Sequence, residues 1–199
     1  TSDNDGPSIA IGHFANTAHK DILAHVRFAS GTGLSTAYVI YGAASYSLTA
    51  EAVTTVASTV GFKINTTTPT LLRVMMKNTG DVNGDGYDEI IFGDYITGED
   101  MHLLFGQSPA NWNTDKTTAA TGSTPDIVNI DARVAAGATE AIKFTNGGSY
   151  FTRQTLRIAD MNNDGYDDII ADNNTYQNVY FGKAAGAWAT PVYVSNASN

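Results

Sequence analysis

The sequence predicts an all-β fold built by repeating a unit of about four short strands. Three observations carry that reading. Two nine-residue loops, Asp81–Glu89 and Asp160–Asp168, both read D-x-N-x-D-G-Y-D-[DE] and both run straight into Ile-Ile. The segments after the loops also repeat. After the first come Ile90-Ile91-Phe92-Gly93, a polar turn over Thr97–Asp100 and Leu103-Leu104-Phe105-Gly106; after the second come Ile169-Ile170-Ala171, a polar turn over Asn173–Thr175 and Val179-Tyr180-Phe181-Gly182. Finally, apolar residues fall in short runs bounded by turn formers, as in strands, and the one helix expected is a brief one over Ala132–Ala141.

The loops have the chemistry of a hard-cation site. Calcium takes roughly six to eight oxygen ligands from a flexible cage. Side chains at alternate positions of a tight loop converge, which nominates Asp81, Asn83 and Asp85 in the first loop and Asp160, Asn162 and Asp164 in the second. Gly86 and Gly165 permit the sharp turn. Tyr87 and Tyr166 would contribute backbone carbonyls, and Glu89 and Asp168 would close each cage, giving two calcium ions in all. An EF-hand is excluded: position twelve is Phe92 or Ala171 rather than Glu, and strands succeed the loops instead of helices. A metal-free Asx turn is the plainer reading of one such loop, but it does not account for two with every ligand position kept.

A degraded third copy precedes these. Asp21 falls at position nine, and Tyr41-Gly42 matches the later aromatic-Gly pairs. Positions one, three and five are His13, Ala15 and Thr17, which cannot form an oxygen cage, so this copy keeps the backbone pattern without the metal. Upstream of the second and third copies, Gly61–Asn65 echoes Ala141–Thr145. Four short strands per unit suit a β-propeller blade, with blades over 8–60, 61–125 and 126–199 of one β-propeller region, 1–199, and Pro191–Val194 as the outer strand of the last.

The loop pattern and the strands ending in Tyr41-Gly42, Phe105-Gly106 and Phe181-Gly182 resemble the FG-GAP repeat of integrin α-type propellers, including the related VCBS-like bacterial repeats. The resemblance spans nearly the whole chain as three blades. It implies a propeller, usually seven-bladed, with structural calcium in outer loops and with function on loop faces or between blades. Three blades do not close a ring, so it also implies a larger propeller or one completed by further copies or a partner chain. The function expected is non-catalytic: extracellular or cell-surface recognition or adhesion of a protein or glycan ligand. The alternatives are a lectin of the same fold and a structural subunit of an assembly.

Composition narrows the classes further. The net charge is −9, and eight of the 20 acidic residues lie in the two loops: Asp81, Asp85, Asp88, Glu89, Asp160, Asp164, Asp167 and Asp168. That acidity argues against a nucleic-acid partner, which needs a basic footprint. There is no cysteine, hence no disulfide and no thiolate chemistry. The uncharged stretch Phe28–Ala50 is broken by Ser, Thr, Gly and Tyr and reads as two strands and a turn rather than a membrane span. There is no G-x-S-x-G motif, and Asp and Glu pairs that could act as acid and base lie almost all inside the loops, so no enzyme is expected. His13, His19, His25 and His102 read as scattered polar positions rather than metal ligands. Trp112, Trp188 and the 10 tyrosines read as packing aromatics, with sugar stacking the lesser alternative.

Overall fold

The computed structural model describes residues 8–15, 18–26, 36–45, 60–65, 72–74, 79–94, 100–115, 127–137, 139–145, 156–172, 177–188 and 192–193. Within them the chain is predominantly β, in three sheets. The first is an antiparallel meander of β1 (Ser8–Gly12), β2 (Asp21–Val26), β3 (Thr36–Ile40) and β4 (Gly61–Asn65). The second joins β5 (Leu72–Val74), β6 (Ile90–Asp94), β7 (Met101–Leu104) and, after an excursion, β9 (Ala141–Thr145) in the same manner. That excursion holds α1 (Pro109–Asp115), β8 (Ile127–Asn129) and α2 (Ile130–Ala136). The third sheet is β10 (Leu156–Ala159), β11 (Asp168–Asp172) and β12 (Gln177–Tyr180), and β13 (Val192–Tyr193) comes after it in the chain.

Two strands reach back to the sheet before their own. β8 pairs in parallel with β4, Lys63 opposite Ile127, and so extends the first sheet; β13 pairs in parallel with β9, Val192 opposite Phe144, and extends the second. Each addition covers an edge of unpaired backbone groups that would otherwise face solvent. Gly61–Asn65 and Ala141–Thr145 close the preceding sheets instead of opening the next ones, and Val192–Tyr193 belongs to the second sheet rather than the third. The repeat in sequence defines a period but not its phase, because a strand's sheet is decided by the distant edge it pairs with.

The helices obey local signals. Pro109 sits at the first position of α1, where its missing N–H costs nothing, and the Ser108 hydroxyl accepts from the Asn111 N–H at 3.3 Å. α2 begins earlier and stops sooner than expected. The Asn129 side chain accepts from the Ala132 N–H at 2.9 Å, and Gly137 ends the helix at φ 121. Of the stretch Phe28–Ala50, β3 is the strand described; residues 28–35 and 46–50 lie outside the described residues, as does 116–126. No helix among the described residues is long and apolar enough to cross a membrane.

Among the described residues, no sheet has a core of its own. Ala10, Leu23, Val39 and Ile64 of the first sheet pack against Ile90, Phe92 and Leu104 of the second. The opposite face of the second sheet, with Ile91, Leu103, Ile142 and Phe144, packs against Ile158, Ile169 and Ala171 of the third. Adjacent Ile90 and Ile91 thus face opposite neighbours, as the two-residue period of a strand requires. Trp112 closes the first core, stacked 4.6 Å from Phe62, and Trp188 the second, edge-on to Phe144 at 5.9 Å; both are buried, consistent with packing and not with an exposed stacking platform. Stability here belongs to the contacts between sheets. Phe92→Ala is accordingly expected to cost about 3–5 kcal/mol and to lower the transitions of the first and second sheets together. Guanidinium unfolding monitored by both circular dichroism and tryptophan fluorescence checks this; two separated transitions would contradict it.

Candidate metal centre

Each loop is built by its own acidic and amide side chains folding back on the backbone. Asp81 accepts from the N–H groups of Gly84 (2.7 Å), Asp85 (3.1 Å) and Gly86 (2.7 Å), Asn83 Oδ1 from Asp85 N–H (2.9 Å), and Asp85 from Tyr87 N–H (2.9 Å). The later loop repeats this: Asp160 accepts from Asp164 (3.2 Å) and Gly165 (3.0 Å), Asn162 Oδ1 from Asp164 (2.9 Å), and Asp164 from Tyr166 (2.9 Å). Positions four and six are left-handed in both, with φ 74 at Gly84, 59 at Asn163, 89 at Gly86 and 92 at Gly165. Glycine and asparagine are the residues that tolerate this region, which is why these types occur there.

Position nine separates the copies. In the degraded first copy Asp21 is fully buried, and its two oxygens accept from Ala15 N–H and Gly42 N–H, both at 2.6 Å. Asp168 does the same with Met161 N–H and Gly182 N–H, both at 2.9 Å. The carboxylate thus ties its loop to the glycine beyond the aromatic strand. Glu89, one methylene longer, uses Oε2 to accept from Val82 N–H, while its buried Oε1 has no hydrogen-bond partner. One carboxylate oxygen each from Asp81, Asp85 and Glu89 lies within 4.8 Å of the others, and this is the group of three ligand-type side chains found among the described residues.

A buried carboxylate with an unpaired oxygen beside two more carboxylates is electrostatically costly without a cation. Burial pushes the Glu89 carboxyl well above its ordinary range; the Val82 N–H opposes this, and the charges of Asp81, Asp85 and Asp88 add to it. Burial also raises Asp85. All five groups nominated for the first ion, Asp81, Asn83, Asp85, Tyr87 and Glu89, lie in this loop, and the donor set of oxygens fits calcium. The second set, Asp160, Asn162, Asp164, Tyr166 and Asp168, has the same loop backbone, but both oxygens of its position-nine carboxylate are already engaged by backbone amides. Among the described residues His13, His19, His25 and His102 join no such group.

Position eight has a role that the motif by itself does not announce. The Asp88 carboxylate accepts from His13 N–H at 2.7 Å while the Asp88 N–H donates to His13 O at 3.0 Å. One repeat later, Asp167 accepts from Asp81 N–H and donates its own N–H to Asp81 O, both at 2.9 Å. Position eight of each loop therefore grips position one of the loop before it. A third bond accompanies the grip: Gln107 N–H to Phe14 O at 3.1 Å, and Lys183 N–H to Val82 O at 2.9 Å. The clue in the sequence is an aspartate at position eight of both intact motifs but lysine, Lys20, in the first copy.

No family model matches the chain, and the curated proteins and solved structures likewise give no match.

The loop geometry sets two expected outcomes. Glu89 binds its proton more tightly folded than unfolded, so in metal-free protein the stability tied to that proton is full below about pH 4.3, the ordinary carboxyl value, and is lost as pH rises toward the elevated folded value. In chelator, Glu89→Gln should therefore gain stability relative to wild type as pH goes from about 4 to 7; thermal melts across that range test it, and a constant difference would contradict it. Asp167→Ala removes the side-chain half of the grip, leaving the Asp81 N–H without its acceptor, and should cost about 1–3 kcal/mol, read as a lower denaturation midpoint at unchanged slope.

Proposed function

We propose that the chain is a calcium-stabilised segment of a β-propeller of the FG-GAP, integrin α-like type, acting without catalysis in extracellular or cell-surface recognition or adhesion. The observation that carries this reading is the buried Glu89 carboxylate, with an oxygen lacking a partner, grouped with Asp81 and Asp85 in a loop whose backbone recurs at Asp160–Asp168. Three sheets of similar strand order, each packed face to face on the next, support the blade assignment. The ion's role is structural: carboxylates that hold a divalent cation are held deprotonated and serve poorly as proton shuttles. Calcium at extracellular, millimolar concentration suits weak sites of this kind, and the absence of cysteine leaves the cation as the available staple.

The reading of the chain as a structural subunit is favoured by one further feature, the exposed apolar side chains of Ile9, Ile11, Met161, Val179 and Phe181. The lectin reading lacks such support, because Trp112 and Trp188 are both buried.

Calcium that binds the native loop and not the open chain stabilises by about 2.7 kcal/mol per site at one hundred times its Kd. For a chain of this size that raises Tm by roughly 5–10 °C. Melting in calcium and in chelator, with magnesium as the control ion, measures it. An identical Tm in all three conditions would refute the calcium reading, and Glu89→Gln should remove the first loop's share of the calcium-specific shift.

A further inference from the structure

We propose that the third sheet carries a docking face for the first sheet of a second copy of this chain, joined head to tail through the same contacts that join its own sheets. The inference rests on the fate of equivalent residues. Position two of the loop is Phe14, Val82 and Met161; the first two are fully buried by the next sheet, whereas Met161 is 43% exposed. The third strand behaves the same way. Val39 and Leu103 are fully buried and Phe105 nearly so, but their equivalents Val179 and Phe181 are 45% and 57% exposed. At the other end, Ile158 is buried against the second sheet, while its equivalent Ile11 is 58% exposed and neighbouring Ile9 65%. Five of the six large exposed hydrophobics among the described residues lie on these two faces.

The two faces match because they are the two halves of an interface the chain already makes twice. A sheet's leading face meets the trailing face before it, with position eight lying on the backbone of position one. Close approach is built into that junction: a Cβ at Gly80 would collide with the Asp167 carboxylate and Ile158, and one at Gly12 would meet the Asp88 carboxylate at 2.6 Å. Lys20 occupies position eight of the first copy, its carbonyl set against Gly42 as Asp88's is against Gly106 and Asp167's against Gly182. Its side chain is exposed. Docked on the third sheet, Lys20 would face the acidic loop of half-buried Asp160 and exposed Asp164, so charge as well as shape selects the head-to-tail pairing. Such an interface is heterologous, and it closes a ring or continues as a filament according to its rotation.

The proposal rests on the segment reading above and deepens it, since it names what meets the exposed apolar residues of the first and third sheets. The test is sedimentation of the full chain in calcium. The wild type should run at a multiple of its 21.1 kDa mass. Phe181→Asp spoils the trailing face and Ile11→Asp the leading face; both side chains are exposed in the single chain, so each variant should fold, checked by circular dichroism, and each should be monomeric. Mixed in equal amounts, they retain one intact interface between them and should form a heterodimer that grows no further. A monomeric wild type, association that survives both substitutions, or a mixture that stays monomeric would overturn the proposal. A calcium-dependent Tm in a monomeric wild type would leave the calcium reading standing and this interface refuted; association without any calcium effect would do the reverse.

Discussion

Everything in this molecule depends on the burial of both faces of the second sheet against its neighbours. A sheet of four or five short strands has two faces and too little of anything else to hide them. Here Ile90, Phe92 and Leu104 go one way and Ile91, Leu103 and Phe105 the other, so a single sheet contributes to two cores and owns neither. The hydrophobic effect is non-directional and would tolerate sliding of one apolar face over another. Register between sheets must come from polar contacts, and these are concentrated at the loops.

Three sets of polar contacts give that register. The aspartate at position nine fastens the first and third of these loops to their own sheets, through Gly42 for Asp21 and Gly182 for Asp168. The aspartate at position eight fastens each loop to the preceding one, Asp88 on His13 and Asp167 on Asp81. A bond from the residue after each aromatic-Gly pair, Gln107 or Lys183, seals position two. The first copy keeps the position-nine device intact although His13, Ala15 and Thr17 stand at positions one, three and five, so the carboxylate's tie to the fold does not depend on those ligand types. At Glu89 the longer side chain leaves one buried oxygen unpaired, and the proposed cation site rests on that oxygen.

The sequence made the local features legible and left the non-local ones hidden. The D-x-N-x-D-G-Y-D loops, the degraded copy at Asp21 and the strands beginning at Ile90 and Asp168 all arise from side-chain chemistry within a few residues. The phase of the repeat does not, because nothing within Gly61–Asn65 says whether it pairs with β3 behind it or with a strand ahead. β8 and β13, three and two residues long, join earlier sheets in parallel and carry no periodicity to read. α1 is signalled by Ser108-Pro109 but spans only seven residues, too short for a helical stripe. At the candidate site the ligand types were readable, whereas the difference between Glu89 and Asp168 required knowing that Gly182 N–H already occupies one aspartate oxygen.

The loops act as bolts between sheets rather than as free surface turns. Native-state hydrogen exchange in calcium addresses it most directly. The amides of His13 and Asp81, gripped by Asp88 and Asp167, should exchange only through the same global opening that releases the strand amides of Leu103 and Ile142. Exchange of His13 and Asp81 through local opening, orders of magnitude faster than those strands, would contradict it.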